Sequence, residues 1–314
     1  MARRRGVVGL SFALAPAMVL ALMLALVLAT GPATAGSLIA GVCGQTPPLS
    51  AAQHDRLLRF AAVVRQVLDT QAHGVALVAR SGLDLSRFGV RYSHAGLALA
   101  DGAGSRWAVR QLYYDCDAAQ PRLYDQGLAG FVAGLHAPDR GFISLLLPPP
   151  DAARRLGAAA LDRPRALRLL AARYSANAHA WSLQYQNCNQ WLAELMATAE
   201  GHLPDGEDLR ARAQDWLREA GYVPASVDAG SHAVMFAAGF VPWVRLDDRP
   251  EEDRYSLVFE LSLPRSLEAF ALARWPGARR VTLCFAEDRV VMRRDGTPLP
   301  EDCVPEPGDE VRAL

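Results

Sequence analysis

The 314-residue sequence has no surplus of charge: Lys+Arg and Asp+Glu number 33 each. With no net field to draw it to polyanions, the chain is not expected to bind nucleic acid or an anionic membrane surface. The positive charge is carried by arginine, which with abundant alanine reflects a GC-rich coding sequence and not a mechanism. Internal repeats and low-complexity linkers are missing, and beyond the N-terminal segment no run is long and apolar enough to span a bilayer. No histidine pair stands at metal-ligand spacing with a cysteine or carboxylate nearby, so neither a zinc site nor any other cofactor is expected. Cysteine is scarce, and its five positions are more informative than its absences.

The N-terminus is the strongest positive signal. Arg3, Arg4 and Arg5 precede an apolar stretch that is densest from Met18 to Leu28. Gly31 and Pro32 break any helix, and Ala33-Thr34-Ala35 has the small-x-small pattern of a signal-peptidase site. Cleavage is expected after Ala35, giving a periplasmic or secreted protein. The competing reading is an uncleaved anchor, since the apolar run from Val7 approaches the roughly 20 residues that a span requires. A membrane is a partner only in that case.

Five cysteines in an oxidising compartment leave one over. Cys284 and Cys303 lie in neighbouring strand, turn and loop segments and are expected to pair. Cys43 and Cys116 form the other expected pair, and Cys188 remains. The mature chain of about 280 residues is long enough for one large or two smaller cores.

Leu57, Leu58, Phe60, Ala61, Val64, Val67 and Leu68 recur at helical spacing behind an N-cap at Ser50. Strands are predicted from Gly74, over Val90–Leu99, from Trp107 and over Gly141–Leu147, with a short helix from Asp125 to Gly134. Helices are predicted near 151–160, 164–173, 189–199 and 208–220. Beyond Gly221 the pattern turns to short strands (240–244, 255–261, 281–285, 289–292) around one helix near 266–273. Late proline and acidic residues suggest a loose C-terminus.

Two features carry chemistry. Asn187-Cys188-Asn189-Gln190-Trp191 puts a cysteine at the first turn of a helix, where partial positive charge favours thiolate and free N–H groups can hold an oxyanion. Taken alone, a structural or disulfide-bonded cysteine is the commoner explanation. Tyr92-Ser93-His94-Ala95-Gly96 puts a histidine in a strand among small neighbours, with the right pKa to serve as a base. A strand histidine is by itself more often structural.

Histidine strand, further strands, then Asn-Cys opening a helix resembles the circularly permuted papain-like superfamily, which includes the NlpC-type amidases and the lecithin retinol acyltransferase-like proteins. The wider layout, including Leu263-Pro264-Arg265-Ser266-Leu267-Glu268-Ala269-Phe270, looks like an uncharacterised family of secreted bacterial proteins. The resemblance implies Cys188 as nucleophile and His94 as general base. The family's third member is a polar residue on the next strand, where alternation offers Gln111 or Arg110; Gln111 is chosen, since its amide oxygen can accept the imidazole N–H. Tyr92, Asn187 and Trp191 are candidates for substrate contact, though packing explains the aromatic residues equally.

The expectation is therefore an α+β fold in three parts. These are a signal peptide (1–35), a permuted papain-like domain with an N-terminal helical arm (36–222), and a β-rich C-terminal extension of the same unit (223–314). In that domain an antiparallel sheet packs on the nucleophile helix. The expected function is a cysteine hydrolase or acyltransferase acting on an amide or ester, with a peptide, peptidoglycan or lipid substrate. The alternative is a non-catalytic exported module that keeps the fold and binds a ligand.

Overall fold

The structure, a computed structural model, describes residues 48–102 and 106–314. The expected signal segment and Cys43 lie outside the described residues. The first element is the helix Ala51–Gln71, started by a capping box in which Ser50 and Gln53 satisfy each other's backbone N–H. Six of the seven residues of the apolar stripe read from the sequence are buried, and Leu58 is exposed instead.

Strands follow in chain order: β1 (Val75–Arg80), β2 (His94–Leu99), β3 (Ala108–Asp115), β4 (Gln120–Gly127) and β5 (Arg140–Leu147). The short strands β6 (Arg173–Tyr174) and β7 (Tyr185–Gln186) then pair with each other, as do β8 (Ala225–Asp228) and β9 (Val258–Leu261). The chain ends with β10 (Arg279–Ala286), β11 (Arg289–Arg293) and β12 (Glu310–Ala313). Eight strands form one sheet in the order β12-β11-β10-β5-β1-β2-β3-β4, with every neighbouring pair antiparallel.

Both faces of this sheet are covered, so its central strands β1, β2 and β5 are buried on nearly every residue instead of alternating. One core holds Leu77, Ala79, Ala95, Leu97 and Leu112 against the helices Cys188–Glu200, Pro150–Leu161 and Pro264–Arg274. The other holds Ala76, Val78, Ala98, Val109 and Ile143 against the Ala51–Gln71 helix and the short helix Leu128–Ala133. The molecule is thus α+β with a large antiparallel sheet.

Several expected elements are corrected. The segment Gln120–Gly127 is a strand and not the start of a helix; it folds back on β3 in a hairpin, with Arg110 and Asp125 as cross-strand partners. Strand β2 starts at His94 and not at Val90, because Ser93 turns away to accept the backbone N–H groups of Gly82 and Leu83. Residues 240–244 form no strand, and 251–256 form a helix ahead of β9. The C-terminus is not loose. Strand β12 closes the sheet edge, Arg293 pairs with Asp309 and Glu306, and the Cys284–Cys303 disulfide staples the intervening loop. The late strands continue the main sheet, since β10 lies directly against β5.

Candidate active site

The Cys188–Glu200 helix begins on a side-chain cap. Asn187 Oδ1 accepts the N–H of Gln190 at 2.8 Å, while its Nδ2 donates to the Ser262 carbonyl at 3.3 Å. Asn187 is therefore buried and occupied in fixing the helix start, and does not line an open groove. Every residue from Cys188 to Ala199 is buried, which makes this the central helix of its layer.

A buried helix carrying a carboxylate needs a counter-charge. Glu194, wholly inaccessible, is met by Arg210 through two N–H···O bonds of 2.9 and 3.0 Å, by Gln214 at 2.8 Å and by Gln186 at 2.5 Å. Arg210 also donates to the carbonyls of Ser182, Leu183 and Tyr185. This network ties the approach to Cys188 onto the helix, and sequence reasoning missed it. The one available signal was an acidic residue on what reads as an apolar helix.

Cys188 is the free cysteine among the described residues, and it is buried. Cys284 pairs with Cys303 as expected, and Cys116 is disulfide-bonded. The helix start docks on the histidine strand: Asn189 Nδ2 donates to the Ser93 carbonyl at 3.3 Å, and Cys188 packs in one core with Ala95, the residue after His94.

His94 opens β2. Its Nε2 lies 2.7 Å from Gln111 Oε1, and Gln111 Nε2 donates at 2.7 Å to Gln126 Oε1. Gln126 thus orients the Gln111 amide, whose oxygen can only accept. In this amide orientation Nε2 carries the ring proton, leaving Nδ1 as the basic nitrogen. The ring packs beside Tyr113 and Phe131, with centroids 5.0 and 6.0 Å away. Arg110, the other choice for the third position, faces away and forms an ion pair with Asp125 at 2.6 Å. His94 and Cys188 do not hydrogen-bond to each other in this arrangement; the ring nitrogen with a partner is Nε2, and that partner is Gln111.

The electrostatics correct the expectation of a resting thiolate. Burial pushes the Cys188 thiol up to about 11, outweighing the N–H groups and the nearby Arg80. Burial, aided by the Arg80 guanidinium, pulls His94 down to about 3. At neutral pH the pair is thiol and imidazole, both uncharged. Tyr174, half-buried near Cys188 and Tyr113, is held well above the usual phenol range by desolvation.

The remaining candidates divide. Trp191 is 0% exposed and gives its indole N–H to the Ala166 carbonyl, so it is core and no part of a groove. Tyr92 borders a cavity of about 400 Å³ with Glu268, Arg280 and Thr282, its hydroxyl buried without a partner. A larger cavity of about 840 Å³ lies on the other side of the Arg91–Glu301 ion pair. Neither cavity is lined by Cys188 or His94.

The family model of an uncharacterized protein conserved in bacteria (DUF2145) matches residues 67–271. The chain belongs to this family. The matched region encloses Arg80, His94, Gln111, Gln126 and Cys188, and ends before the C-terminal strands of the sheet. No curated protein and no solved structure matches the chain.

Proposed function

We propose that this member of the DUF2145 family is an exported cysteine hydrolase or acyltransferase acting on an amide or ester bond, on a permuted papain-like core. The observation that carries the proposal is where the cysteine helix begins: its first turn is tied to the residue before His94, with Asn189 Nδ2 donating to the Ser93 carbonyl, and Cys188 packs in one core with Ala95, the residue after His94. The Gln126–Gln111–His94 chain supports it by leaving Nδ1 of the imidazole free to take a proton. The Cys284–Cys303 disulfide supports an oxidising compartment, and with it export.

In the proposed reaction the Cys188 sulfur bonds to the substrate carbonyl carbon as the thiol proton passes to His94 Nδ1. The helix-start N–H groups hold the developing oxyanion. The carbon–nitrogen or carbon–oxygen bond then breaks and the leaving group takes the proton from His94, leaving a thioester. Water or an acceptor hydroxyl attacks next, gives its proton to Nδ1, and the thiol is restored. Because both partners rest uncharged, His94 acts as a general base during attack and not as half of a standing ion pair. Peptidoglycan stem peptides, other peptides and lipids are the candidate substrates.

One observation favours a second reading, a ligand-binding module without turnover: both cavities lie away from Cys188. Incubation of the disulfide-intact protein with amide and ester panels separates the two. Turnover by the wild type, lost in Cys188→Ala and reduced about 100-fold or more in His94→Ala, supports the enzyme. Saturable binding without turnover, unaltered by Cys188→Ala, supports the module.

A further inference from the structure

Arg80 ends a strand that is otherwise wholly apolar, Val75-Ala76-Leu77-Val78-Ala79. In the antiparallel register it stands directly across from His94. The residue is only 4% exposed, and no carboxylate pairs with it among the described residues. Its two terminal nitrogens donate to neutral groups, the Phe131 carbonyl and the Tyr113 hydroxyl, and its Nε is buried without a partner. The guanidinium lies over the rings of Phe131 and Tyr113, at 4.6 and 5.8 Å from their centroids. Gly134 makes room for it, since a side chain there would collide with the guanidinium.

A buried cation without a counter-ion is costly, and it stabilises any anion formed within its reach. The His94 imidazole on β2 and the Arg80 guanidinium share the same two aromatic neighbours, Tyr113 and Phe131, and the charge also reaches the Cys188 sulfur. Among these side chains only the sulfur becomes an anion in the proposed reaction. We propose that Arg80 is the fixed positive charge of the Cys188 site, keeping the resting His94 imidazole neutral and so free to accept a proton, and serving as counter-charge to the sulfur when it gives up its own. It is a positioning residue, acting through the charge states of the two groups that react. The inference rests on the proposed role of Cys188, but its electrostatic half does not require turnover.

Two measurements on the full disulfide-intact chain test it. In the first, histidine-labelled protein is titrated by NMR, with His94 assigned from a His94→Asn variant. The wild-type ring is expected to stay neutral to below pH 4.5. Arg80→Met is expected to raise its midpoint by at least one pH unit, and Arg80→Lys to leave it low. An unchanged midpoint in a folded Arg80→Met protein would overturn the proposal. The second needs no change at Arg80. Cys188→Asp sets a carboxylate where the thiolate would form, and near pH 8 it is expected to melt several degrees above the neutral Cys188→Asn. The reverse order would overturn the counter-charge role. Absence of amide or ester turnover, with both results as expected, would count against the proposed enzyme and leave the charge assignment standing.

Discussion

His94 and Cys188 are each surrounded so that a lone charge on either is disfavoured, and this has a measurable cost in acid. With the folded pKa held at about 3 and an ordinary value of 6.5, the unfolded chain takes up this proton first as pH falls. The stability from a neutral His94 is therefore fully present above pH 6.5 and lost as pH drops toward 3. The expected loss is at most about 1.4 kcal/mol per pH unit. Urea midpoints at pH 7 and pH 4.5 should show a shallower decline in His94→Gln than in the wild type. Gln111 acts on the same ring by fixing its tautomer. Gln111→Ala is expected to lower kcat about 10-fold or more while changing KM little, as read from steady-state kinetics on a turned-over substrate. These residues were legible because each has a local mark: a cysteine behind an asparagine cap, a histidine among small strand neighbours, a glutamine in step with the strand. Arg80 was not, because its meaning comes from a register that pairs it across the sheet with His94.

At the scale of elements, the Cys188–Glu200 helix is held from its middle and not only from its cap. Removing one member of a buried ion pair strands the other charge, so Glu194→Ala should cost about 3–5 kcal/mol, measured by chemical denaturation. The double change Glu194→Leu with Arg210→Met should cost less than the single one. The Cys284–Cys303 staple constrains the unfolded chain, and Cys303→Ala should cost about 2–4 kcal/mol by the same assay. Helices with an apolar stripe and a cap were readable. The β4 strand was not, because Gln120–Gly127 is a polar edge strand whose identity comes from pairing with β3. Residues 240–244 misled for a similar reason. Apolar sequence there suggested a strand, yet the neighbouring backbone bonds lead to Ala176 and within the turn, not to a sheet partner.

For the whole molecule, the sheet order decides what folds as a unit. Strand β10 pairs along the full length of β5, so the C-terminal residues complete the middle of the sheet and are no appendage. A chain ending at Tyr222 would expose one edge of β5 and the apolar faces that β10 and β11 cover. It is expected to be insoluble or unfolded by circular dichroism, whereas a papain-like unit complete by residue 222 would yield a cooperative folded domain. The α+β class and the packing of antiparallel strands on the cysteine helix were legible in the order of elements. Membership of β10–β12 in the same sheet was not, because antiparallel pairing between segments more than 130 residues apart leaves no local periodic mark.

The most direct test of the central claim, that Cys188 is an acylatable nucleophile driven by His94, is intact-mass kinetics with an activated acyl donor on the disulfide-intact protein. The expected result is one acyl adduct, mapped to Cys188 and slowed about 100-fold in His94→Ala. No adduct, or one whose rate is indifferent to His94, would contradict it.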